Sequence, residues 1–224
     1  MENALHTVEI VHWAALGIMG LVYTIRLFWL FKFNAGRDRQ LPGDMGRTDM
    51  GPAMYSMFNV AMPWAMESTR GGKGFGFWVS FVLFHIGVVA GIFLAIFSSL
   101  MPEFFQDQTV AQVFIGILGV SFIVGLGRIF RRLGKPVMRL ISTPDDYFSL
   151  FMITGWFLTG VLAQAHIGGY LPNPLYLIIF LAATSFFLIY VPFSKISHYL
   201  YYPFIRYYIG KTLGHRGSMP APRG

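Results

Sequence analysis

The apolar residues of this chain fall into five runs of about twenty, each bounded by polar or Pro/Gly-rich segments. That is the length a helix needs to cross ~30 Å of hydrocarbon. The pattern predicts transmembrane helices over about 8–31, 75–100, 112–130, 147–166 and 175–200, each without charge through its middle. Turn chemistry marks the breaks: Gly71-Gly72 before the second helix, Met101-Pro102 after it, Gly134-Lys135-Pro136 after the third, and Gly168-Gly169 with Pro172 and Pro174 before the fifth. One further stretch, about 52–67, is rich in Met and aromatic residues but too short to span. It fits an interfacial helix packed on the membrane surface, or a hydrophobic surface on which a cytoplasmic partner docks. The expected organisation is an all-α, five-helix membrane domain over 1–210 and a polar tail, 211–224, that is flexible or bound to a partner.

Composition excludes the soluble alternative. With 55% hydrophobic and 12% charged residues, a 224-residue soluble fold has too little polar surface to cover its apolar side chains. Met1 to His12 contain no basic residue before the first apolar run and no small-residue cleavage pattern, so the first run is expected to remain as a helix rather than be removed as a signal peptide.

Charge gives the helices a direction. Lys32, Arg37, Arg39, Arg47, Arg70 and Lys73 lie between the first and second helices. Arg131, Arg132, Lys135 and Arg139, with Arg128 at the helix end, follow the third, and Lys195, Arg206, Lys211, Arg216 and Arg223 follow the fifth. Arg26 lies close enough to the inner end of the first helix to snorkel. The N-terminus and the other two loops have no Lys or Arg. All 17 basic residues therefore fit one topology, with the N-terminus outside and the C-terminus in the cytoplasm. The net charge of +7 reads as membrane orientation, not as nucleic-acid binding.

The absence of cysteine excludes an iron–sulfur cluster, a zinc–thiolate site, a covalently attached heme and any disulfide in this chain. Histidine carries the remaining chemistry, because ionisable groups within membrane helices are costly and mark either a structural partner or a function. His85 lies deep in the second helix, His198 near the inner end of the fifth, and His12 and His166 near the outer ends of the first and fourth; His6 and His215 are terminal. A b heme needs two imidazoles from different helices and small residues beside the ring. His85 and His198 meet the first need, and Gly87, Gly91, Gly116, Gly119 and Gly125 the second. The same residues also fit a histidine hydrogen-bonded to a neighbouring helix, an interfacial histidine, and glycines that serve close helix packing.

Three short motifs, in this order, weigh toward the heme reading: Leu83-Phe84-His85-Ile86-Gly87; Arg131-Arg132 followed by Ser142-Thr143-Pro144-Asp145-Asp146; and Pro192-Phe193-Ser194-Lys195 followed by His198. With the five-helix plan, the chain resembles the gamma subunit of respiratory nitrate reductase and related membrane subunits of heterodisulfide-reductase-like menaquinol complexes in sulfate and sulfite metabolism. The resemblance implies that His85 and His198 are axial ligands of the heme b nearer the cytoplasm. It also implies a cytoplasmic iron–sulfur partner, a membrane quinol, with menaquinone expected, and a place in a prokaryotic cytoplasmic membrane. The family's second ligand pair falls here on Ala95 and Phe180, so an outer heme is either absent or ligated differently.

Glu9, one helical turn from His12, joins His12 and His166 near the outer face. These three residues fit a quinol site whose side chains take protons, a second heme held by His12 and His166, or plain interfacial contacts with water and headgroups. The expected function is a cytochrome b subunit passing electrons between quinol and the iron–sulfur partner. A transporter or proton relay centred on His85, or a structural anchor for redox subunits, are the competing classes. The former is disfavoured by the lack of a Gly/Pro-broken span, an internal repeat or charged residues within the helices.

Overall fold

The structure is a computed structural model and describes residues 2–32, 50–64 and 71–213. The expected tail beyond residue 213, His215, the end of the 52–67 segment, and Arg37, Arg39, Arg47 and Arg70 lie outside the described residues. Those described are almost entirely helical, with no strand among them. In order they form α1 (Glu2–Lys32), α2 (Met50–Phe58), α3 (Gly71–Phe97), α4 (Pro102–Gln106), α5 (Gln108–Gly134), α6 (Pro136–Ile141), α7 (Pro144–Ile167), α8 (Leu175–Tyr190) and α9 (His198–Leu213). Five helical segments are long and apolar enough to cross a membrane: Glu2–Lys32, Gly74–Phe97, Gln108–Gly134, Pro144–Ile167 and Leu175–Phe193.

The fifth segment differs most from the pattern-based expectation. Rather than running unbroken over 175–200, α8 stops at Tyr190; two 3-10 turns, Val191–Phe193 and Lys195–Ser197, flank an extended Ser194, and His198 opens a separate helix. Pro192 is the local cause, since it has no N–H to continue an α-helical ladder. Elsewhere the helices start early because they are capped. The Asp107 side chain accepts from the backbone N–H groups of Thr109 and Val110, extending α5 ahead of residue 112. Thr143 and Asp146 form a reciprocal capping box, with Pro144 at the first helical position of α7.

The chain divides into two compact units. The first comprises Met1–Tyr23 and Val79–Lys195, the second Thr24–Trp78 and Ile196–Gly224. Inside the first, helix packing depends on small residues, as expected where lipid is as apolar as leucine and cannot drive helices together. A Cβ at Gly87 would fall on the Ser121 side chain of α5, and one at Gly125 would come 2.5 Å from Thr154 Oγ1 of α7. Ser121 Oγ donates to the Leu83 carbonyl at 2.9 Å, closing α3 on α5. The centre of α7 is fixed by Trp156, whose indole N–H donates to Thr184 Oγ1 of α8 at 2.8 Å while its ring stacks on Phe180 at 5.8 Å.

In the second unit, α2 lies along α9. Arg206 Nε donates to the Ser56 carbonyl at 2.9 Å, Tyr202 to the Met57 carbonyl at 3.3 Å, and Gly210 rests directly on Pro52 and Ala53. Thus one face of the Met-rich segment is covered by the chain's own last helix, while Met54 and Phe58 stay exposed. Arg26 Nη1 donates to the hydroxyl of Tyr201 at 3.4 Å in the same unit.

Candidate functional site

His85 lies in the α3 portion of the first unit, half-buried between the side chains of its own helix. Its Nδ1 is 2.7 Å from the carbonyl of Phe81, one turn back, and its ring packs on that of Phe81 at 4.1 Å. A carbonyl oxygen only accepts, so Nδ1 carries the proton and Nε2 the lone pair. Metal-ligating histidines characteristically show this arrangement: one ring N–H is committed to a carbonyl, which fixes the tautomer and raises the basicity of the other nitrogen. The donor chemistry of His85 therefore fits an axial position on a heme iron. His198 opens α9 in the second unit, with its side chain exposed. Among the described residues, no cluster of three or more His, Asp or Glu side chains is gathered for a metal ion.

The glycines divide into two kinds. Gly87, Gly91 and Gly125 are filled by Ser121, Trp156 and Thr154, so they serve close helix packing rather than leaving room for a flat ring. A Cβ at Gly116 or Gly119 meets nothing within 4 Å. Ala95 and Phe180, the positions that the resemblance sets against a second ligand pair, are embedded in protein. Ala95 is 1% exposed and Phe180 is fully buried, with Phe180 stacked on Trp156 and its ring packed against Gly160. With neither position able to ligate iron and the Trp156–Phe180 stack beside them, these residues do not fit an outer heme at the family's place.

At the other end of α7 the structure brings two of the sequence-predicted residues together. Glu9 and His166 line one cleft of about 410 Å³ with Ser98, Ser99, Pro102, Gln106, Ile167 and Leu177. His166 is anchored by its Nδ1–H, which donates to the Leu171 carbonyl at 2.8 Å across the turn that follows α7. Its Nε2 is consequently the acceptor nitrogen. That turn is set by Gly169, whose φ of +79° is left-handed and favours glycine. Glu9 Oε1 accepts from Ser99 Oγ at 3.3 Å, and Ser98 Oγ is buried with no hydrogen-bond partner among the described residues. Carboxylate, imidazole and hydroxyl groups in one cleft can accept and return protons to a ligand bearing O–H groups.

His12 does not line that cleft. It is 2% exposed, packed edge-on against Trp13 at 5.9 Å, and both ring nitrogens lack a hydrogen-bond partner among the described residues. Ser98 and Gln106 were not singled out from sequence, since a serine or glutamine at a helix end has no distinctive spacing. Nor was the polar cluster that ties α5, α7 and α8 together. In it, Lys195 Nζ reaches Thr143 Oγ1 at 2.8 Å and Asp146 Oδ1 at 3.2 Å, Arg132 pairs with Asp146 at 4.0 Å, and the Tyr190 hydroxyl donates to Asp145 at 2.6 Å. The motif residues Thr143, Asp145, Asp146 and Lys195 are thus partners of one another.

Comparison with known proteins gives a narrow result. A protein of Nitratidesulfovibrio vulgaris (strain Hildenborough) is 36% identical over 127 residues, which cover 54% of this chain and 54% of that protein. The match spans about half the length of that relative and brings no activity with it. No family model matches the chain, and no solved structure matches it.

Proposed function

We propose that this chain is a cytochrome b membrane subunit of a respiratory complex, related to the nitrate reductase gamma subunit, that passes electrons between a membrane quinol and a cytoplasmic iron–sulfur partner. The observation that carries the reading is His85, held by its Nδ1–H on the Phe81 carbonyl so that Nε2 bears the lone pair a heme iron takes. His198 supplies the second axial imidazole. When bound, heme b provides a reversible one-electron couple at its iron. The run of basic residues in alternate loops supports an orientation with the N-terminus outside and the C-terminus in the cytoplasm, and the resemblance supports a prokaryotic inner membrane. With no cysteine in the chain, onward transfer falls to a separate iron–sulfur subunit.

In this reading the cleft lined by Glu9 and His166 receives the quinol, menaquinol in the family the chain resembles. His166 Nε2 and the Glu9 carboxylate accept its hydroxyl protons, while Ser98 and Gln106 orient the ring oxygens. A second heme held by His12 and His166 is the weaker reading, since His166 lines the cleft and His12 does not.

The purified full chain should show a reducible b-type absorption band. His85→Ala and His198→Ala should each remove that band while the protein still inserts; unchanged heme content in both variants would reject the ligand pair. A transporter or a bare anchor has no such band. In the complex, His166→Ala should slow quinol oxidation with the band retained, and normal turnover would count against the cleft.

A further inference from the structure

Arg128 is a cation within a membrane-spanning helix that reaches sideways instead of toward the membrane surface. It lies on α5 six residues before the helix ends at Gly134, yet its guanidinium carbon stands 4.5 Å over the ring of Phe84 on α3, and Nη2 donates to the Ser80 carbonyl at 3.3 Å. Among the described residues its buried Nε has no hydrogen-bond partner and the guanidinium no carboxylate partner. Asp146, the carboxylate paired with Arg132 one turn further along α5, is also engaged by Lys195. One long bond to a carbonyl already in a helix and one aromatic face are thin compensation for a half-buried guanidinium whose Nε is shielded from water. Arginine placed this way calls for a planar anion, and its fork of donors matches a carboxylate.

Phe84, whose ring this cation covers, is also in edge contact with His85, its ring 6.1 Å from the imidazole. We propose that Arg128 is the counter-cation for a propionate carboxylate of the heme ligated by His85. The assignment rests on the heme reading above but is separable from it. Arg128 completes its donor set through Nε and an Nη, and the carboxylate is neutralised inside the membrane where it could not otherwise stay ionised. A positive charge there favours the reduced iron, so the residue also sets the potential of the site.

The test uses the full chain produced without heme and titrated with two probes, hemin and its dimethyl ester, in which both carboxylates are blocked. Arg128→Gln should bind hemin about tenfold more weakly than wild type, while the two proteins bind the ester alike; Arg128→Lys should recover most of the loss. In the hemin-loaded proteins, the reduced-to-oxidised ratio at a fixed applied potential should fall several-fold in Arg128→Gln. Equal loss of hemin and ester binding would mark Arg128 as a packing residue and overturn the proposal, as would hemin binding and redox titration identical to wild type. If wild type binds neither probe with a b-type spectrum, the heme reading itself fails. If Arg128→Gln does not fold, Arg128→Ala carries the comparison: a wild-type hemin-to-ester preference in that variant, with the fold intact, would equally overturn the proposal.

Discussion

The two ends of α7 are tied down by different chemistry. At the Pro144 end the ties are ionic: Asp146 closes the capping box and meets Lys195 and Arg132, and Asp145 holds Tyr190, whose hydroxyl also lies 3.2 Å from Ser149. At the Ile167 end they are neutral: Gln164 Nε2 donates to the Phe105 carbonyl at 2.7 Å, Gln108 Nε2 to the Gly168 carbonyl at 3.0 Å, and Gln112 Nε2 to the Tyr170 hydroxyl at 3.3 Å. Among the described residues, Glu9 there meets the Ser99 hydroxyl and no cation. An end that spends its charges on one another is an anchor. An end built from amides and carbonyls keeps its carboxylate and imidazole available for proton exchange.

The sharpest way to break this contrast is at the neutral end. Gln164→Leu removes a buried bond and leaves the Phe105 carbonyl unmatched, so it should cost about 1–2 kcal/mol, independent of salt, in detergent thermal unfolding. At the ionic end, Asp146→Ala should cost about 1 kcal/mol, mainly through the lost cap, because Lys195 is exposed and its ion pair is screened. Asp146→Asn keeps an acceptor for Thr143 and should lose only a few tenths of a kcal/mol; its stability should also no longer fall with added salt as that of wild type does. Smallest in stability is Glu9→Gln, expected to change unfolding by less than about 0.5 kcal/mol. Quinol turnover by the complex should nonetheless drop while heme content holds. Unchanged turnover would remove Glu9 from the chemistry.

Much of this architecture is legible in the chain because spanning helices announce themselves by length and hydropathy. All five segments overlap the apolar runs that predict them, the fifth ending short of its run. Their ends were less legible: Asp107 and Thr143 begin α5 and α7 several residues before the apolar run does, since a cap acts through backbone N–H groups and not through hydropathy. The break after Tyr190 was signalled by Pro192, but the surrounding apolar residues masked it. Among the site residues, Glu9 and His166 line one cleft, whereas turn spacing joins Glu9 to His12, which does not line it. The burial of His12 and the reach of Arg128 toward α3 depend on which way a side chain turns from its helix, and no one-dimensional pattern contains that. The glycines show the same limit, because the spacing that could admit a porphyrin is also the spacing that admits Ser121, Trp156 and Thr154.

The bond from His166 to the Leu171 carbonyl has a consequence for proton traffic. An imidazole that works as a wire takes a proton on one nitrogen and surrenders another from the opposite nitrogen. His166 has its opposite nitrogen moored to a main-chain oxygen that cannot carry a proton away. On the proposed chemistry it is a reservoir with a single mouth: what enters at Nε2 leaves by Nε2, and only after the oxidised ligand has vacated the cleft. Discharge is then timed by product departure, which would keep the proton from returning to the molecule that gave it.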